Sequence, residues 1–149
     1  MRLVSWNIAR QDEPWRLLAA DDELDVALLQ EATAPPGGLD LEVVAGGEWR
    51  LAGWKDRQFS AAVVRCSSHV EVTAEPTLRP LETAGEDELA VSRPGSLAAA
   101  TVDGETLSAP IVVVSAYASW ERPPSVGGSG WIYADASAHR VISDLSGLI

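Results

Sequence analysis

The sequence predicts a mixed α/β (α+β) fold in a single domain, with a mixed β-sheet flanked by helices. Three features predict it: a strand–helix–strand unit in the first 31 residues, several short apolar runs of strand length, and an amphipathic segment near the C-terminal end. The 149 residues give room for one hydrophobic core, and a hydrophobic fraction of 46% is that of a globular protein.

The first unit consists of two strands joined by a short helix. Residues 2–8 alternate between two faces, as in a strand. Asp12 suits a helix N-cap and Pro14 a first turn, so we expect a helix up to about residue 20. Residues 25–30 contain an unbroken apolar run, which is typical of a strand buried on both faces. Such a unit favours a parallel pair of strands.

The rest of the chain is predicted as short strands, loops and one helix. Strands are expected at 41–45, 48–54, 60–65, 69–74, 97–102 and 110–117, with a hairpin turn at Gly46-Gly47. Residues 76–96 are rich in Pro, Gly and acidic residues and predict a long surface loop. Residues 134–149 carry an apolar stripe at helical spacing. This helix has no polar or glycine stop, so we expect residues 1–149 to be the N-terminal part of a longer domain.

Composition and charge argue against several classes of protein. A net charge of −11 disfavours broad electrostatic capture of nucleic acid, although a bound metal ion can supply positive charge locally. No apolar run approaches the roughly 20 residues of a membrane span. The N-terminus lacks the features of a signal peptide. The single Cys66 cannot form an intramolecular disulfide, and because the sequence shows no export signal we expect a cytoplasmic location.

Polar side chains follow the first two predicted strands. Asn7 ends the first strand, and Glu31 follows the second. The carboxyl ends of parallel strands share one edge of the sheet, where ligand sites tend to lie, so we expect these side chains to meet. An amide oxygen and a carboxylate suit a hard cation such as Mg²⁺ or Mn²⁺.

Structural interpretations of the same residues stay open at this point. An Asn at a strand end is commonly a turn residue, and a Glu after a strand is commonly solvated. His69 and His139 are too isolated in the sequence to suggest zinc. The sequence contains no phosphate-binding glycine motif, and no Ser, His and Asp are placed to imply a nucleophilic triad.

The stretches SWNIA (5–9) and DVALLQEA (25–32) resemble the opening of the endonuclease/exonuclease/phosphatase superfamily of deoxyribonuclease-like, metal-dependent phosphoesterases. The resemblance implies that Asn7 and Glu31 are ligands of Mg²⁺ or Mn²⁺. SAAVVR (60–65) resembles the next core strand, and IVVVSAYASW (111–120) resembles the strand that leads into the substrate loop. Tyr117 then corresponds to a catalytic tyrosine that contacts the scissile phosphate. The implied substrate is a phosphate ester, either nucleic acid or a small molecule.

The resemblance also implies a fold and an incomplete site. The family fold is a four-layer α/β/β/α sandwich, of which this chain is expected to supply one half, mainly one sheet and its helices. The family's Gly-Asp-x-Asn and Ser-Asp-His motifs, which activate water and hold the phosphate, do not occur in the sequence. We therefore expect a hydrolase of phosphodiesters or phosphomonoesters that is incomplete in this chain. The alternative is a non-catalytic, shortened module with a binding or interaction role. An uncovered sheet face would promote self-association.

Overall fold

The computed structural model describes residues 1–49, 59–75, 79–80, 83–86, 88–118 and 133–148. Within these residues it contains nine strands, two α-helices and a 3₁₀ turn. They are β1 (Leu3–Asn7), α1 (Glu13–Ala20), β2 (Val26–Ala32), β3 (Glu42–Ala45), β4 (Ser60–Arg65), β5 (Val70–Ala74), β6 (Arg79–Pro80), β7 (Ala90–Val91), β8 (Leu97–Gly104), β9 (Ile111–Ala116), α2 (Tyr133–Leu145) and the turn Ser146–Leu148.

The strands form two principal sheets. The first has the order β1-β2-β4-β3. Its β1 and β2 are parallel and β4 is antiparallel to both neighbours, so the predicted strand–helix–strand unit is confirmed. The second sheet has the order β5-β8-β9 and is antiparallel throughout. A short parallel pair, β6 and β7, lies within the predicted loop 76–96.

The layers follow from the alternation of side chains along β4. Ala62 and Val64 face α1, whose Trp15 is fully buried on this side of the first sheet. Ala61 and Val63 face the other way and pack with the inward side chains of the second sheet. Alternate residues of a strand point to opposite faces, so one strand contributes to two cores. The protein is thus a mixed α/β structure in which α1 covers one face of the first sheet and the second sheet covers the other.

The prediction that the chain supplies mainly one sheet is wrong. The strands β5, β8 and β9 pair with one another instead of extending the first sheet. In β5, buried Val70 and Val72 alternate with exposed Glu71 and Thr73, as in a strand with one buried face. The face of the first sheet opposite α1 is therefore covered, which removes for this sheet the reason to expect self-association.

The predicted hairpin at Gly46-Gly47 also differs from the structure. β3 pairs with β4, residues 48–49 are not in a strand, and residues 50–54 lie outside the described part of the chain. Gly46 instead passes so close to β8 that a Cβ built on it would lie 1.7 Å from the carbonyl oxygen of Leu97. Glycine is needed here because two backbone segments approach each other.

The C-terminal segment is helical, as predicted. α2 ends at Leu145, and the 3₁₀ turn follows it. Ser92 donates a hydrogen bond from its hydroxyl to Asp144 Oδ1 at 2.6 Å, which ties α2 to the segment before β8. In the described part of the chain, neither α-helix has the length and apolar character of a membrane span.

Candidate functional site

The parallel pairing of β1 and β2 brings the two predicted metal ligands together. Asn7 is in register with Gln30, the residue before Glu31. The Asn7 side-chain Nδ2 donates a hydrogen bond to Glu31 Oε1 at 3.1 Å. The predicted proximity of the amide and the carboxylate is therefore found, and their role as metal ligands stays a prediction.

A β-bulge determines the direction of the Glu31 side chain. The pairing of β2 with β4 shifts between Leu29 and Ala32, where β2 has one more residue than β4, and Glu31 has a φ of 50°. Regular alternation would send the side chains of Gln30 and Glu31 to opposite faces. In the structure both reach residues of β9 or just beyond it, because the bulge re-aims one of them.

The loop that follows Asn7 is held in an unusual backbone conformation. Ala9 has a φ of 49° and Arg10 a φ of 64°. Together with Glu31 they are the only non-glycine residues of the described part with positive φ, and all three lie at this site. The Ala9 amide donates to Asn7 Oδ1 at 3.0 Å, and the Arg10 amide donates to the carbonyl oxygen of Glu31 at 2.9 Å. Backbone strain of this kind, concentrated in one place, is a recognised mark of functional sites.

Tyr117 reaches the same carboxylate from the second sheet. It follows β9, and its hydroxyl donates a hydrogen bond to Glu31 Oε1 at 3.0 Å. Its backbone amide donates to the carbonyl oxygen of Ser96 at 2.8 Å. The structure thus brings together all three residues that the sequence singled out, Asn7, Glu31 and Tyr117.

Two residues at the site were not predicted from the sequence. The ring of Phe59 packs edge-on against Tyr117, with centroids 5.6 Å apart and planes at 82°. The Arg10 guanidinium lies 5.7 Å from the centroid of the Phe59 ring, and its Nε is 3.9 Å from Glu31 Oε2. Phe59 precedes a predicted strand and Arg10 lies in a turn, so no spacing pattern linked either one to Glu31.

The donor atoms define what the site can hold. Glu31 Oε1 accepts two hydrogen bonds, and among the described residues Oε2 accepts none. The described part of the chain contains no group of three or more His, Cys, Asp and Glu that could bind a metal. The Asn7 amide presents its Nδ2 to Glu31 while its Oδ1 accepts from the Ala9 amide, so a cation would need this amide to turn. With the amide turned, one carboxylate and one amide oxygen form a sparse set of hard ligands. This set fits Mg²⁺, which is often held by one or two carboxylates and keeps much of its water.

Asp25 and Cys66 lie together at the opposite end of β2, away from Glu31. The hydroxyl of Ser67, the amide of Arg2 and nearby positive charges hold the pKa of buried Asp25 below its ordinary value, the Ser67 hydrogen bond contributing most. Burial and the nearby charge of Asp21 raise the pKa of the Cys66 thiol to about 11. This thiol stays protonated at neutral pH and is a poor metal ligand.

Comparison of the chain with protein-family models, with curated proteins and with solved structures finds no match. The geometry around Glu31 therefore carries the functional argument.

Proposed function

We propose that this chain forms part of a metal-dependent phosphoesterase of the endonuclease/exonuclease/phosphatase type, with Glu31 at the centre of its metal site. One observation carries the proposal: Asn7 at the end of β1 and Tyr117 just after β9 both donate hydrogen bonds to Oε1 of the same carboxylate. The strained backbone conformation of Glu31 supports a role beyond packing. A solvated surface carboxylate needs neither this strain nor two ordered hydrogen-bond donors.

The residues have distinct roles in this proposal. Glu31, with the amide oxygen of Asn7, would hold Mg²⁺ or Mn²⁺, and the bound cation would offset the negative charge of the phosphate ester. The Tyr117 hydroxyl stands beside the carboxylate, where it can donate a hydrogen bond to a phosphate oxygen. The Arg10 guanidinium adds a second positive charge at the same edge. The packing of α1 and two sheets in successive layers supports a place in a four-layer α/β/β/α sandwich.

Metal titration tests the proposal. We expect calorimetric titration of the protein with MnCl₂ to detect one site, and the change Glu31→Gln to weaken binding at least about 10-fold, since it removes the anionic ligand. Glu71→Gln is the matched control: it makes the same charge change on the exposed side of β5. Equal weakening by the two changes, or no effect of Glu31→Gln, would contradict the proposal.

A non-catalytic binding or interaction module is the second candidate. The contacts of Glu31 also fit it, since the hydrogen bonds from Asn7 and Tyr117 to this carboxylate join the two layers without a metal ion. The same titration separates the two candidates. If the protein binds no Mn²⁺ while remaining folded, the module is the better account.

A further inference from the structure

We propose that Gln30 and Ser115 are positioning residues that hold the second sheet in the register at which Tyr117 meets Glu31. We call their hydrogen-bonded contact the inter-sheet link. Any consequence of the inter-sheet link for metal binding and catalysis rests on the proposed function. The effect of the link on the Tyr117–Glu31 contact does not rest on it, so the inference and the proposed function can fail separately.

The inter-sheet link is partly buried, and its bond from Ser115 to β2 is short and shielded from water. The Gln30 Nε2 donates to Ser115 Oγ at 3.2 Å, and the Ser115 hydroxyl donates to the carbonyl oxygen of Leu29 at 2.6 Å. Ser115 is 1% exposed. Gln30 Nε2 also lies 3.1 Å from the carbonyl oxygen of Leu28 and 3.3 Å from Ser5 Oγ. These contacts tie the side chain of Gln30 to β1, β2 and β9 at once.

The position of the link in the chain explains what it does. Gln30 immediately precedes Glu31 on β2, and Ser115 lies two residues before Tyr117 at the end of β9. The surrounding core between the sheets is apolar, built from side chains such as Val63, and apolar contact has no preferred direction. Hydrogen bonds are directional, so the link restrains sliding of β9 along β2 in a way that the core does not.

The bulge makes the arrangement possible. Because Gln30 and Glu31 both turn toward β9, one strand segment provides the anchor and the carboxylate side by side. A shift of β9 by about 1 Å away from Glu31 would carry the Tyr117 hydroxyl out of hydrogen-bond range, since O–H···O bonds extend only to about 3.0 Å. The anchoring pair and the contact pair therefore act as one unit, which consists of Gln30, Ser115, Glu31 and Tyr117.

A double-mutant cycle measures the contact that the link is proposed to hold. The changes Tyr117→Phe and Glu31→Ala, made singly and together in metal-free buffer, each remove the hydrogen bond and give the coupling between the two side chains from urea denaturation. The cycle is then repeated with Ser115→Ala and, separately, with Gln30→Met, which keeps the length of the side chain and removes its donors. We expect the coupling to fall to less than half of its wild-type value in both backgrounds.

The control removes packing without touching the link. Val72→Ala opens the same inter-sheet core, since Val72 is buried there, and the coupling should persist in this background. The proposal is overturned if the wild-type cycle shows no coupling, if either Ser115→Ala or Gln30→Met retains it, or if Val72→Ala abolishes it equally. If Ser115→Ala does not fold, Gln30→Met decides. A protein that binds no Mn²⁺ but shows the expected loss of coupling would overturn the proposed function alone.

Discussion

Glu31 shows at the scale of one residue how the site is made. Its φ of 50° lies in the left-handed region, which costs a non-glycine residue about 1–2 kcal/mol. The bulge in β2 imposes this conformation, and the same bulge turns the carboxylate toward Asn7 and Tyr117. Ala9 and Arg10 carry the same kind of strain in the facing loop. The surrounding hydrogen bonds must offset this cost.

The strain at Ala9 gives a first prediction. Ala9→Gly removes the left-handed penalty but adds freedom to the unfolded chain, so we expect the free energy of unfolding to be unchanged or to rise by up to about 1 kcal/mol. Ala19→Gly, in the exposed face of α1, should lower it by about 0.5–1 kcal/mol. Urea denaturation measures both. Equal destabilisation by the two changes would show that Ala9 is not strained.

Asp25 gives a second prediction, for acid stability. A carboxyl whose pKa is lowered on folding stabilises the protein above its ordinary pKa of about 3.9 and loses this contribution as pH falls through the lower, folded pKa. Between about pH 5 and about pH 2, the free energy of unfolding of the wild type should fall more steeply than that of Asp25→Asn. Ser67→Ala, which removes the main cause of the lowered pKa, should give an intermediate slope. Parallel curves for wild type and Asp25→Asn would contradict this account.

At the scale of elements, β4 and β8 determine how closely the layers approach. β8 places the small side chains of Ala98 and Ala100 in the core between the sheets, and they allow the second sheet to lie near β4. A small residue also allows close approach just after β3, where Gly46 contacts the start of β8 through its backbone. The Gly46 amide donates to Ala61, and the Gly46 carbonyl accepts from Gly95.

This close approach gives a third prediction. Gly46→Ala places a methyl group against the Leu97 carbonyl and should lower the free energy of unfolding by about 3 kcal/mol or more, since only backbone movement can relieve the clash. Gly37→Ala is the control, because a Cβ at Gly37 meets nothing within 4 Å and the change reduces the freedom of the unfolded chain. Chemical denaturation of the two variants should therefore separate them widely. A mild effect of Gly46→Ala would mean that β3 is held less closely than described.

Some elements could be predicted from the sequence and others could not, for physical reasons. The strand–helix–strand unit and the meeting of Asn7 with Glu31 follow from local periodicity and from the geometry of parallel strands. The assignment of β5, β8 and β9 to a separate sheet depends on which long-range pairings compete best, and periodicity carries no information about that choice. The bulge at Glu31 and the contact of Phe59 with Tyr117 arise only once the sheets are packed.

At the scale of the whole molecule, two sheets meet so that the end of β9 overlies the carboxyl end of β2. The N-terminal unit contributes Asn7 and Glu31, and the second sheet contributes Tyr117. The net charge of −11 makes a single cation at this edge electrostatically favourable. The central claim is that this edge binds a divalent metal ion at Glu31.

Paramagnetic broadening of amide NMR signals by substoichiometric Mn²⁺ tests that claim most directly. We predict that the signals of Asn7, Glu31 and Tyr117 broaden first, and that Glu31→Gln abolishes this pattern while leaving the remainder of the spectrum intact. Broadening centred instead on the exposed acidic residues 21–23, and unchanged by Glu31→Gln, would contradict the account.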